Sequence, residues 1–132
     1  MPANALYPLT KAKMMQGGIN MSTGTVKAAL VGSGYTYSAT HDFFDDLGAN
    51  VIGTPQTLNN KTFTNGTFDA DNVTYTAVAG GSTGKAIVLY VDTGTATTSP
   101  LVAYLDGLTN LPITTNGGDI NVTWDATGIF TL

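Results

Sequence analysis

The stretch Lys85-Ala-Ile-Val-Leu-Tyr-Val-Asp92 decides the fold class. Its six interior residues are all apolar, so both faces of an extended chain would need cover. That predicts a central strand with material packed on each side. Two more runs belong with it. Leu101-Val-Ala-Tyr-Leu-Asp106 is again mostly apolar. Asp119-Ile-Asn-Val-Thr-Trp124 alternates, with Ile120, Val122 and Trp124 on one face and Asn121 and Thr123 on the other. That period of two predicts a half-buried strand. Thr25 to Val31 predicts a fourth strand, ended by Gly32-Ser-Gly34, and Tyr35-Thr-Tyr37 continues or restarts it.

Composition agrees with a β fold. The 132 residues suit a single domain. A chain of this length buries about 70% of its unfolded surface, enough for a core without a staple. It contains no cysteine, so the redox compartment stays open. All five cations are Lys and all nine carboxylates are Asp, and charged residues make up 11% of the chain. The usual share is about 25%. The chain also holds 23 Thr and 16 Gly. These favour strands and turns, while the residues that normally clothe surface helices are scarce. So little charge leaves two readings open: a surface kept in solution by hydroxyls and amides, or one buried in an assembly.

The net charge of −4 and the lack of arginine argue against nucleic acid. No apolar run approaches the roughly 20 residues of a membrane helix. The opening Met1-Pro-Ala-Asn-Ala-Leu-Tyr-Pro8 has neither a basic nor an apolar signal region, which predicts synthesis in a cytoplasm, where the protein stays or from which it leaves inside a particle.

Residues 1–20 read as an extended arm followed by a short helix, and residues 21–132 as the β domain. The helix runs from Pro8 to Gln16 and stops at Gly17-Gly18. Leu9, Ala12 and Met15/Gln16 form its thin apolar face, suited to packing on the sheet or reaching a neighbouring subunit. A second short helix is expected near residues 41–47. Thr40 is its N-cap, Gly48 its left-handed stop, and Phe43, Phe44 and Leu47 point inward. From Gly53 to Gly81 short strands are expected. Asn65-Gly66 marks a tight hairpin between Lys61–Thr64 and Thr67–Asp69. Asp69–Asn72 marks a second turn, and Val73–Ala77 alternates. Ile129–Leu132 suits an open sheet edge.

Chemistry is sparse. Gly80-Gly-Ser-Thr-Gly-Lys85-Ala86 looks like a phosphate loop. However, Ala79 stands at the first glycine position, Ala86 replaces the Mg²⁺-binding hydroxyl, and a strand follows instead of a helix. His41 is the sole histidine, and no Gly-x-Ser-x-Gly elbow accompanies it. It reads as a residue at a helix start. Asp69-Ala-Asp-Asn72 has half a calcium-loop pattern but lacks its glycine and terminal Glu, so turn chemistry explains it better. The five Asn-x-Ser/Thr sequons, beginning at Asn20, Asn60, Asn65, Asn72 and Asn121, are expected to be unmodified. No catalytic, cofactor-binding or metal-binding residue is expected.

Several segments in order resemble a family of small structural proteins of tailed bacteriophages. They are Asn4-Ala-Leu-Tyr-Pro8, Gly17-Gly-Ile-Asn20, Thr23–Val31, Tyr35-Thr-Tyr37 leading to His41-Asp-Phe43, Lys61–Asp71, Leu101–Asp106, Leu111–Asp119 and Val122-Thr-Trp124. The resemblance spans essentially the whole chain. It implies a capsid decoration (cement) protein on the virion surface, partnered with the major capsid protein, with no catalytic residues. A trimer is favoured, because a shell with threefold sites uses one patch repeatedly. Together these readings predict a mainly β fold, a two-sheet β-sandwich or jelly-roll-like barrel. Candidate contact residues are Leu6, Tyr7, Leu9, Met14, Met15, Tyr35 and Tyr37. The first rival is a tail or fibre component that binds a host surface or glycan on exposed rings such as Tyr35 and Tyr37. The second is a small hydrolase, which would need a buried polar cluster around His41.

Overall fold

The computed structural model describes residues 5–108 and 111–131. Its strands are β1 (Ala5–Leu6), β2 (Thr25–Gly32), β3 (Val51–Thr57), β4 (Thr67–Phe68), β5 (Val73–Tyr75), β6 (Thr83–Asp92), β7 (Leu101–Leu105), β8 (Ile113–Thr114), β9 (Ile120–Val122) and β10 (Phe130–Thr131). The one α-helix among the described residues, α1, is Pro8–Met15. The main sheet has the antiparallel order β1-β7-β6-β2-β3, and β8 pairs with the start of β6. Two small antiparallel sheets, β4/β10 and β5/β9, complete the strands. The architecture is mainly β and sandwich-like, as expected. The second layer is two small sheets in place of one.

β6 is the centre, and the reason is visible in its side chains. Ile87, Leu89 and Val91 enter one apolar cluster, while Ala86, Val88 and Tyr90 enter another on the opposite face. Each fully buried aliphatic side chain contributes roughly 1.5–3 kcal/mol, so a strand buried on both sides anchors both layers. β7 carries a bulge. Leu89 faces Ala103 but Tyr90 faces Leu101, leaving Val102 as the extra residue. The bulge keeps Leu101 and Tyr104 in one cluster and Ala103 and Leu105 in the other.

The small sheets cover the first face. The alternation read from 119–124 holds: Ile120, Val122 and Trp124 are buried, and Asn121 and Thr123 are exposed. The Trp124 indole N–H donates to the Asp71 carbonyl at 2.9 Å, and its backbone N–H donates to Asn72 Oδ1 at 3.0 Å. These bonds join the Asp69–Asn72 turn to the core. The Asn65-Gly66 turn also forms as expected. Both residues have positive φ, 52° and 80°. Thr67 N–H closes on the Thr64 carbonyl, and Thr62 and Asp69 exchange two backbone bonds. That is the primed turn favoured by the right-handed twist of a hairpin.

The helical segments differ from expectation in instructive ways. α1 begins at Pro8 and ends as predicted. Gly17, at φ 75°, donates to the Met14 carbonyl, and Gly18 donates to the Lys13 carbonyl. Of the two uses left open for its thin apolar face, α1 does not pack that face on the sheet. Leu9, Ala12, Met15 and Gln16 face solvent, whereas Thr10 is buried with its hydroxyl bonded to the Leu101 carbonyl. The second helical segment is 3-10 in character over Phe44–Asn50 and is interrupted at Gly48, whose positive φ of 58° breaks the helical backbone where a stop was expected. Thr40 does not cap it. The Asp46 carboxylate reaches back instead and accepts from the backbone N–H of Asp42 at 2.8 Å and of Phe43 at 3.4 Å. Leu47 is buried, while Phe43 and Phe44 are half-buried.

Candidate functional site

The seven contact candidates divide into two groups. Tyr7 and Tyr35 lie in the chain's own core at 0% and 2% exposure. That corrects their reading as contact residues, because burial in the second face of the main sheet takes them off the surface. Tyr7 follows β1 and caps α1, so the edge strand and the helix together drive its ring inward. Its ring centroid lies 5.0 Å from that of Tyr37, and Tyr37 lies 5.4 Å from Tyr104. Tyr37 is therefore half-buried in an aromatic stack. Leu6 is half-buried against the first cluster.

The tyrosine hydroxyls form a chain. Tyr7 OH lies 2.7 Å from Tyr35 OH, which lies 2.8 Å from His41 Nδ1. Burial pushes the Tyr7 phenol well above its ordinary range and Tyr35 up to about 12. Both are held as neutral phenols that satisfy one another, as buried polar groups must. This is the polar cluster a hydrolase would need, yet no Ser or Thr hydroxyl bonds to His41 among the described residues. The cavities of the molecule described below are lined by neither Tyr35 nor His41.

The other chemical look-alikes resolve into structure. Gly84 and Lys85 lie inside β6. Asp69 Oδ1 accepts from the Ala70 N–H, and Asp71 Oδ2 accepts from the Asn60 amide. Among the described residues, no three His or Asp side chains gather in a metal-binding group.

The second group stays open. Leu9 is 40% exposed and Met15 84%, and both belong to the outward apolar stripe of α1. Met14 turns the other way and packs on the edge of the first cluster. Beside it lies a groove of about 420 Å³ whose apolar walls are Met14, Ile19, Met21, Phe63, Phe68 and Phe130. No charged side chain lines it. Its far wall is a ladder of rings, Phe63 to Phe68 at 5.5 Å and Phe68 to Phe130 at 5.4 Å. Its near wall is the turn after α1, which is firmly tied. Asn20 Oδ1 accepts from the backbone N–H of Ser22 and Thr23. The Lys61 ammonium donates to the carbonyls of Met21 and Gly24, both at 2.6 Å, with Ser22 at 3.4 Å.

Lys13 borders a second hollow of about 340 Å³ that shares Ile19 and Asn20 with the groove. Its ammonium sits 3.8 Å above the centre of the Phe43 ring and 3.8 Å from Asp42 Oδ2. That separation is an ion pair but is too long for a hydrogen bond, and the ammonium, itself buried, has no hydrogen-bond acceptor among the described residues. Sequence reasoning found the helix and Met14 but missed Ile19, Met21, Phe63 and Phe130. The one available signal was Phe63, a large apolar residue beside the exposed Asn-Gly turn.

Comparison with protein-family models and with curated proteins returns no match to this chain.

Proposed function

We propose that this chain is a capsid decoration (cement) protein of a tailed bacteriophage, a non-enzymatic virion component that binds and stabilises the shell of the major capsid protein. The whole-chain sequence resemblance motivates the reading, and one observation carries it further. α1 buries Thr10 and turns Leu9, Ala12 and Met15 to solvent. An apolar helix face turned outward on a chain so poor in charge fits a surface built to be covered. The double-faced main sheet supplies the rigidity such a scaffold needs. In this reading the protein is made in the host cytoplasm, assembles on the outer capsid surface and works as a trimer. It needs no cofactor, nucleic acid or membrane.

The reading as a tail or fibre component rested on Tyr35 and Tyr37 as an exposed aromatic platform. Tyr35 is buried and Tyr37 is stacked between two other rings, so that support is gone. Copy number in purified virions tests the choice. Near-stoichiometric amounts relative to the major capsid protein are expected, and a few copies per particle would refute decoration.

A further inference from the structure

We propose that His41 is an acid-sensitive latch on the N-terminal arm. In its neutral form it accepts the last proton of a one-way hydroxyl chain that seats Tyr7. Its protonation breaks that chain and loosens β1 and the start of α1 from the main sheet. The latch acts on the chain's own fold and does not depend on the decoration reading.

The order of the protons follows from counting acceptors. Among the described residues the buried Tyr7 hydroxyl has one hydrogen-bond partner, Tyr35 OH at 2.7 Å. A buried hydroxyl proton needs an acceptor, so Tyr7 donates to Tyr35. The other partner of the buried Tyr35 hydroxyl is His41 Nδ1 at 2.8 Å. Tyr35 therefore donates onward, Nδ1 is the unprotonated acceptor, and the ring proton sits on Nε2. The reverse order would strand the Tyr7 proton. A protonated imidazole has two donors and no acceptor. His41 would then point an N–H at Tyr35, and one buried phenol proton in the chain would lose its acceptor. Imidazole is the side chain that ordinarily changes charge between about pH 5 and pH 8, and His41 is only half-buried.

What the chain holds is the root of the arm. The Tyr7 backbone N–H donates to the Val102 carbonyl at 3.2 Å, and α1 begins at the next residue, Pro8. Among the described residues β1 pairs with β7 through Ala5 and Leu6 alone, so the strand has few bonds of its own to keep it in place. The groups facing the imidazole are few. The Tyr35 ring lies 5.5 Å away, and Tyr104 of β7 stands 6.0 Å from Tyr35 on its other side. Asp46 interacts with His41 by charge, and the neighbouring Asp42 is paired with Lys13 of α1. Asp46 favours the imidazolium, so it shifts where the latch lets go and not which way it works. Carboxylates ordinarily titrate near about 3.9, below the window in which the latch is read.

The test follows amide hydrogen exchange of the full-length protein from about pH 8 down to about pH 5.5. Protection of the Tyr7 amide is compared with that of the β6 amides, after correction for the intrinsic pH dependence of exchange. In the wild type the Tyr7 ratio should fall about tenfold across this window, toward the lower end of what one unmet buried donor costs. His41→Asn keeps a neutral acceptor near the place of Nδ1 and cannot gain a proton, so its ratio should stay high and flat. Tyr35→Phe removes the middle of the chain, so its ratio should be low and flat. Nitrogen NMR of the wild-type imidazole at the alkaline end should report the Nε2–H form. An Nδ1–H form there would overturn the proton order, and this readout needs no variant to fold. A wild-type ratio that ignores pH would overturn the latch. So would a His41→Asn ratio that falls as the wild type does, which would pass the effect to Asp42 and Asp46.

Discussion

The two ends of the first helix share a chemistry and part company in fate. At residues 5–10 the chain adds a strand to β7, seats Tyr7 at 0% exposure and bonds Thr10 to the Leu101 carbonyl. At residues 12–16 the same helix leaves Met15 at 84% exposure beside an open, charge-free groove. Both ends read alike as contact candidates. The difference lies in what covers them: the main sheet and its tyrosines receive Tyr7, and nothing in the described chain receives Met15. An aromatic residue beside an edge strand joins the core, whereas an apolar stripe opposite a buried threonine is left for another molecule.

That contrast breaks or stands on single substitutions. Tyr7→Ala empties a fully buried site and should cost about 3–5 kcal/mol in denaturant unfolding. Met15→Ala should stay within about 0.5 kcal/mol of wild type. Equal losses at the two positions would erase the distinction. Lys61→Met removes the donor that serves the Met21 and Gly24 carbonyls. The loss should be about 1 kcal/mol, the usual net contribution of a hydrogen bond where the carbonyls are only part-buried, and shell binding should fall as the groove wall loosens. A stable variant with full binding would mean the wall holds itself.

The smallest effect concerns acid. A hydrogen bond from Lys27 and the Gly94 N–H hold the Asp92 carboxyl below its ordinary range. Its stabilisation is present above the unfolded carboxylate value of about 3.9 and is lost as pH falls through the lower folded value. Lys27→Met should therefore flatten the stability–pH curve on the acid side. It should leave shell binding unchanged, because neither Lys27 nor Asp92 lines the groove or belongs to α1. An unaltered acid limb would show that the pair contributes nothing.

Much of the fold was legible because period and turn chemistry are local. The doubly apolar run at 86–91, the alternation at 120–124 and the Asn65-Gly66 turn each describe their own environment. β3 was harder. Gly53 sits at φ 68°, Pro55 interrupts the pattern, and its pairing with β2 shifts register between Ala28 and Leu30. Pro55 is tolerated because β3 is an edge strand with no ladder to feed on its far side. The direction of α1 stayed open between two alternatives. Periodicity locates an apolar stripe, but which side meets the sheet depends on Tyr7 and Thr10 locking the helix's start. The groove was equally hidden, since Met21, Phe63 and Phe130 meet only once the chain has folded.

The most direct test of the account is the thermal opening of empty major-capsid-protein shells with and without a saturating amount of this protein, followed by light scattering. A cement protein raises the opening temperature, and Leu9→Asp/Met15→Asp at the same concentration does not. Shells that open at the same temperature with and without the wild-type protein would contradict the account.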